Sequence, residues 1–133
     1  MILVDTSALY AVADEGELHH REAVAIAEGL SVRGEALLVH SYVIVESLAL
    51  FQARSGHESS MKLLKDLERF QVDWVTEETH REALTLFSRL KSRTVSLVDC
   101  VSFTVMRKRG LTTAFAFDKH FVQQGFRLAG GAS

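Results

Sequence analysis

ALLVHSYVIVESLALFQ, residues 36–52, is the stretch on which the fold turns. Its first five residues form a short apolar run bounded by Gly34-Glu35, the pattern of a strand. The twelve that follow run too long for a typical strand and are read as a buried helix, with Ser41 as its N-cap and Ser55-Gly56 closing it just past Arg54. One residue resists that reading. Glu46 lies five positions beyond Ser41, too deep for the capping-box place that Ile44 holds. Its neighbours three and four residues away are Tyr42, Val43, Ala49 and Leu50, and none is a cation. An unpaired buried carboxylate is costly. Glu46 therefore calls for a distant arginine or for a share in binding a cation.

Working outward, the same strand-then-helix alternation recurs. MILVD (1–5) reads as a strand buried on both faces and ending on a carboxylate. Residues 17–33 place Ala23, Ile26, Ala27 and Leu30 at helical spacing, and residues 58–70 place Leu63, Leu64, Leu67 and Phe70 on one face. QVDWV (71–75) is a weaker strand. Thr76 caps a helix carrying Ala83, Leu86, Phe87 and Leu90; Ser96 caps LVDCVSFTVMRKR, which Gly110 stops. TTAFAFD (112–118) is a fourth strand and GFRLA (125–129) a fifth. Alternating strands and helices imply βα units: an α/β fold, a three-layer α/β/α sandwich around a mostly parallel sheet. Sites on such sheets form beyond the carboxyl ends of the strands, where Asp5 and Asp118 are expected to lie close together.

The 133 residues suffice for one domain, expected over 1–129, with the tail GGAS (130–133) frayed. Apolar residues are 47% and charged residues 24%, a globular balance, and no apolar run approaches a membrane span. The opening MILVDTSALY lacks the basic flank and cleavage site of a signal peptide. The lone cysteine, Cys100, excludes an internal disulfide and a four-cysteine zinc site, and fits a reducing, cytoplasmic setting. Cys100 itself reads as a small buried residue. The six histidines show no metal-ligand spacing; His19-His20 reads as a solvated pair, and His120 as a group near substrate rather than a catalytic one.

Four carboxylates stand out. Asp5 and Asp118 each have a structural reading as caps of the helix or turn that follows. Asp99 sits three residues past Ser96, the capping-box position, but in an apolar first turn where a carboxylate needs a partner. Glu46 has the weakest structural reading of the four. Acids gathered at one sheet edge repel one another and raise their own pKa values. A hard divalent cation, Mg²⁺ or Mn²⁺, relieves that strain and can polarise a phosphodiester and activate water. Thr6 and Ser7 offer hydroxyls beside Asp5, or are simply turn residues. The net charge of −2 does not advertise nucleic-acid binding, but reserving four of the 17 acidic residues for a metal leaves 13 against 15 basic ones. Lys62, Lys65, Arg69, Arg89, Lys91, Arg93, Arg107, Lys108 and Arg109 then offer a basic rim for phosphates, about half of them expected to be ordinary solvated residues.

Four segments in this order, ILVDTSALYA, VIVESLAL, SLVDCVSF and AFAFDKHF, resemble a PIN domain of the VapC-type toxin ribonucleases, and the resemblance spans nearly the whole chain. It implies that Asp5, Glu46, Asp99 and Asp118 form the acidic quartet, with Asp5 and Asp99 the most direct metal ligands. Glu46 and Asp118 would complete the cluster or order the attacking water, and Ser7 or Thr6 would support Asp5. It further implies a Mg²⁺- or Mn²⁺-dependent endoribonuclease, a homodimer, and a VapB-like antitoxin that blocks the site. Competing readings fare worse. A response-regulator receiver wants paired early acids and a late Lys-Pro, and the chain has DTS and no proline. A haloacid-dehalogenase-like phosphatase wants DxD, and residue 7 is Ser. A non-catalytic binding module whose acids only cap and pair, and a metal-independent ribonuclease using histidines, remain to be separated by experiment.

Overall fold

The computed structural model describes residues 1–130. In chain order its elements are β1 (Ile2–Val4), α1 (Thr6–Ala13), α2 (His20–Val32), β2 (Leu37–His40), α3 (Ser41–Ser55), α4 (His57–Asp66), β3 (Gln71–Asp73), α5 (Glu77–Leu90), α6 (Leu97–Arg109), β4 (Thr113–Phe115), α7 (His120–Gln123) and β5 (Arg127–Leu128). The strands form one sheet in the order β3-β2-β1-β4-β5, and every pairing is parallel.

The two-residue period of β1 explains the layers. Ile2 and Val4 face one core with Ala8, Ala11, Ala23, Leu30, Val43, Phe51 and Leu63, drawn from α1 to α4. Leu3 faces the other with Ala83, Cys100, Val101, Phe103 and Phe121, drawn from α5 to α7. Helices cover both faces, as an all-parallel sheet requires. From β1 the chain steps outward to β2 and β3, then returns to the other side of β1 for β4 and β5. The β1/β4 boundary is the topological switch point, where open α/β sheets hold their sites.

Several local expectations shift. The helix expected over 58–70 ends at Asp66 and tightens into a 3₁₀ turn, Leu67–Arg69. β4 stops at Phe115, so Asp118 stands three residues past the strand rather than at its end. His40, not Ser41, is the N-cap of α3: its backbone is extended, and its Nδ1 accepts the Val43 N–H (3.3 Å). Ser41 is already helical, and its hydroxyl accepts the Val75 N–H (2.9 Å), tying α3 to the chain after β3. Nor is α3 buried around most of its circumference. Val43, Ser47 and Phe51 form the buried stripe, while Val45 and Glu46 are exposed. The helix packs on α1 and α4 and leaves its third side open. Of the expected frayed tail, only Gly130 lies within the described residues.

Candidate active site

Asp5 follows β1 and is the N-cap of α1, with 5% of its surface exposed. Its Oδ2 accepts the Ser7 N–H (3.1 Å) and the Ser7 hydroxyl (2.6 Å). That hydroxyl in turn accepts the Phe117 N–H (3.0 Å), and the Asp5 N–H donates to the Phe115 carbonyl (3.0 Å). Ser7 thus pins the acid of β1 to the loop after β4 that carries Asp118. Thr6 points elsewhere: its Oγ1 shares a buried hydrogen bond with Ser47 Oγ (3.1 Å), joining α1 to α3 next to Glu46. Burial pushes the Asp5 carboxyl up to about 6; the Ser7 hydrogen bonds oppose the rise, and the charges of Asp99 and Asp118 add to it.

Asp99 occupies the capping box that its spacing suggests. The Ser96 hydroxyl accepts the Asp99 N–H (3.1 Å), and Asp99 Oδ2 accepts the Ser96 N–H (2.9 Å). Its carboxyl is raised, chiefly by burial, against the Ser96 hydrogen bonds and with the charges of Asp118 and Glu46 behind it. The structural reading of Asp99 is borne out, and the cap is made through Oδ2. Asp118 Oδ1 accepts the His120 N–H (2.9 Å), opening α7.

Asp99, Asp118 and His120 each present a ligand atom within 4.8 Å of the other two. Asp5 and Glu46 fall outside that group, but their charges reach it. The four acids come from three βα crossovers and one helix face and gather at the β1/β4 switch point. Among the described residues, no Lys or Arg pairs with any of them. The distant arginine that would have explained Glu46 is not there. A half-buried cluster of carboxylates in which burial raises Asp5 and Asp99, with no Lys or Arg beside it among the described residues, suits a divalent metal ion.

Sequence reasoning undervalued the histidines. His120 Nδ1 lies 2.6 Å from Asp118 Oδ1, and its Nε2 lies 3.0 Å from Thr94 Oγ1. His19 is half-buried: it stacks on Phe117 (centroids 4.6 Å apart, planes at 9°), beside Asp118, and keeps part of its ring in solvent. His20 Nδ1 meets the Ala11 carbonyl at 2.8 Å. His40 is fully buried, its Nε2 2.8 Å from Ser102 Oγ, and burial depresses its pKa to about 4. Single histidines carry no periodic signal, so only the tertiary contacts reveal these roles.

The basic rim divides. Arg69 pairs with Asp66, Lys108 with Glu82 and Glu78, and Arg109 with Asp73, while Arg107 donates to Gln124. Lys62, Lys65, Arg89, Lys91 and Arg93 are exposed and have no acidic partner among the described residues. Lys91 and Arg93 flank the Ser92–Thr94 loop that touches His120, and Lys119 lines the same small cavity of about 270 Å³. A larger concavity, about 1100 Å³, lies elsewhere, over the α1–α4 face between α2 and α4. No helix among the described residues is long and apolar enough to cross a membrane.

Comparison with known proteins agrees with this geometry. The PIN domain family matches residues 2–127. A 23S rRNA-specific endonuclease, VapC20 of Mycobacterium tuberculosis, is 30% identical over 128 residues, covering 95% of either chain. The crystal structure of M. tuberculosis VapC20, a sarcin-ricin-loop-cleaving toxin, superposes with a TM-score of 0.85 at 29% identity, over 95% of this chain and 96% of that one. The DNA-bound VapBC complex of Salmonella typhimurium shares the fold at a TM-score of 0.69 and 15% identity, over 96% and 97% of the two chains. With the acids gathered at the switch point and the match running almost end to end, the chain belongs to the PIN-domain family and to its VapC-type group.

Proposed function

We propose that this protein is an endoribonuclease that hydrolyses RNA phosphodiester bonds with Mg²⁺ or Mn²⁺ and acts as the toxin of a toxin–antitoxin pair. The observation that carries the reading is the convergence of Asp5, Asp99 and Asp118, with Glu46 beside them, at the switch point without any Lys or Arg to balance them. When bound, the cation supplies Lewis acidity to a phosphodiester oxygen and to water. Asp99 and Asp118 would hold it, and Asp5, kept in place by Ser7, would complete its charge balance. Glu46, exposed and close enough for its charge to reach Asp99, is placed to orient the attacking water and take its proton. Lys119, which lines the small cavity beside His120, and the exposed Lys91 and Arg93 on either side of Ser92 would contact phosphates near the scissile bond.

Ribosomal RNA is the first substrate to assay, because the relative VapC20 is a 23S rRNA-specific endonuclease. A VapB-like antitoxin is the partner we propose, in keeping with the VapBC neighbour. The 1100 Å³ groove, lined by Leu9, Val12, Ala27, Leu63 and Phe70, offers an apolar seat for one of its segments. We also propose a homodimer, supported by the exposed Val45 and Trp74 near the start of α3.

One observation favours the non-catalytic reading. Asp5, Asp99 and Asp118 each cap a helix or turn. Capping, however, needs one acceptor oxygen at each helix and gives no reason to gather acids so close that the charges of Asp99 and Asp118 push the Asp5 carboxyl up. The test is incubation of the purified protein with ribosomal RNA, with and without chelator, followed by identification of the product ends. Cleavage should need the cation, vanish in Asp5→Asn, and leave 5′-phosphate ends. Cleavage that persists in chelator and in Asp5→Asn, with cyclic phosphate ends, would overturn the metal mechanism.

A further inference from the structure

His120 is in an unusual position for a residue with only a structural task. Its Nδ1 is enclosed and makes no aligned hydrogen bond, although it lies 2.6 Å from Asp118 Oδ1. That oxygen already accepts the His120 backbone N–H, so the turn is capped without the ring. The other nitrogen, Nε2, lies 3.0 Å from Thr94 Oγ1. Thr94 is itself held in a loop where Ser92 Oγ accepts the N–H groups of Thr94 and Val95, both at 3.1 Å. A ring that donates its Nε2–H to a fixed hydroxyl presents a lone pair at Nδ1. Here the lone pair would face a carboxylate oxygen 2.6 Å away, an arrangement that repels unless a proton or a metal cation lies between the two atoms. A metal-bound histidine usually shows these two features, one nitrogen on the metal and the other N–H on an oxygen partner that fixes its tautomer.

The geometry points to His120 Nδ1 as a nitrogen donor to the same cation that Asp99 and Asp118 hold, oriented by Thr94, so that this centre takes Mn²⁺ in preference to Mg²⁺. The inference rests on the metal reading of the site made above. Imidazole is a poor ligand for Mg²⁺, which demands oxygen and keeps its waters, and a better one for Mn²⁺. A site of carboxylates alone would show little such discrimination. The ligand set is mixed: two carboxylate oxygens and one ring nitrogen within 4.8 Å of one another, from the first turn of α6 and from both sides of the start of α7.

The test is made on the full chain loaded with Mn²⁺. Pulsed electron paramagnetic resonance should show a directly bound imidazole nitrogen that changes on ¹⁵N-histidine labelling and disappears in His120→Gln. Calorimetry should show Mn²⁺ binding at least about tenfold more tightly than Mg²⁺. His120→Gln should lose about tenfold or more of the Mn²⁺ affinity while Mg²⁺ affinity moves far less, and Thr94→Val should fall between, as removal of an orienting partner does. The wild-type spectrum needs no variant to fold. Bound Mn²⁺ without nitrogen coupling, or equal weakening of both ions in His120→Gln, would overturn the inference and leave the ring as a brace for Asp118. If cleavage is cation-dependent and the coupling is absent, only this inference falls; if the wild type binds neither ion, the metal reading falls with it.

Discussion

Asp5 is buried, caps α1 through Ser7, and has its carboxyl pushed up to about 6 from an ordinary 3.8. The shift sets a sign. A raised carboxyl pKa means that the folded state holds its proton more tightly, so the stability it contributes is present below pH 3.8 and lost as the pH rises through 6. The loss is about 3 kcal/mol, at about 1.4 kcal/mol per pKa unit. His40 slopes the other way. Its pKa falls from 6.5 to about 4 because burial disfavours the imidazolium, so its contribution is present above 6.5 and lost as the pH falls to 4, again by about 3 kcal/mol. In chelator the two nearly cancel between pH 4 and 6.5. Asp5→Asn keeps a capping side chain and removes the buried charge. It should stabilise the metal-free protein at pH 8 by about 1–3 kcal/mol and expose a steep loss of stability below pH 6.5 that the wild type lacks. Denaturant unfolding at several pH values measures both, and parallel curves for the two proteins would rule out a buried Asp5 charge.

Residues 96–99 show how an element can serve fold and site at once. Ser96 and Asp99 exchange hydrogen bonds at the start of α6, so the carboxylate offered to a cation is also a helix cap. Ser96→Ala should cost about 1 kcal/mol of stability, the usual worth of an N-cap. It should also weaken Mn²⁺ binding, because Asp99 loses the partner that fixes it. Calorimetry on the folded variant separates the two effects, and unchanged affinity would mean that the cap does not position the acid. The capping box was legible because it depends on a three-residue spacing within one element. The cap of α3 was not. Ser41 has the better intrinsic preference, yet it is drawn into a bond with Val75, and His40, held against Ser102 of α6, caps in its place. Both partners lie over thirty residues away in sequence, beyond any local rule.

At the scale of the whole molecule, the parallel sheet brings residues 5, 99 and 118 together because the strand order switches from one side of β1 to the other. A cation that binds only this folded arrangement stabilises it by mass action. Mn²⁺ at a hundredfold excess over its dissociation constant should add about 2.7 kcal/mol and raise the melting temperature by roughly 8 °C. The rise should be much smaller at pH 5, where Asp5 holds a proton that the cation must displace, and burial raises the Asp99 carboxyl in the same direction. Calorimetric scans at pH 5 and pH 8 check it; an equal shift at both would place the ion away from these acids. The sequence alone determined the α/β alternation, the capping box and the four acids, because each rests on spacing within a short segment or on an apolar run. Its argument for Glu46 had the wrong environment: the helix is open on that side, Glu46 is exposed rather than buried, and its charge reaches Asp99. Which acids come within reach of one cation, the placing of His120 between Asp118 and Thr94, and the loss of Lys108 and Arg109 to ion pairs were decided only by tertiary structure. The physical reason is distance. Coulombic coupling and ligand geometry act over a few ångströms in space, between residues as far apart in the chain as Asp5 and Asp118.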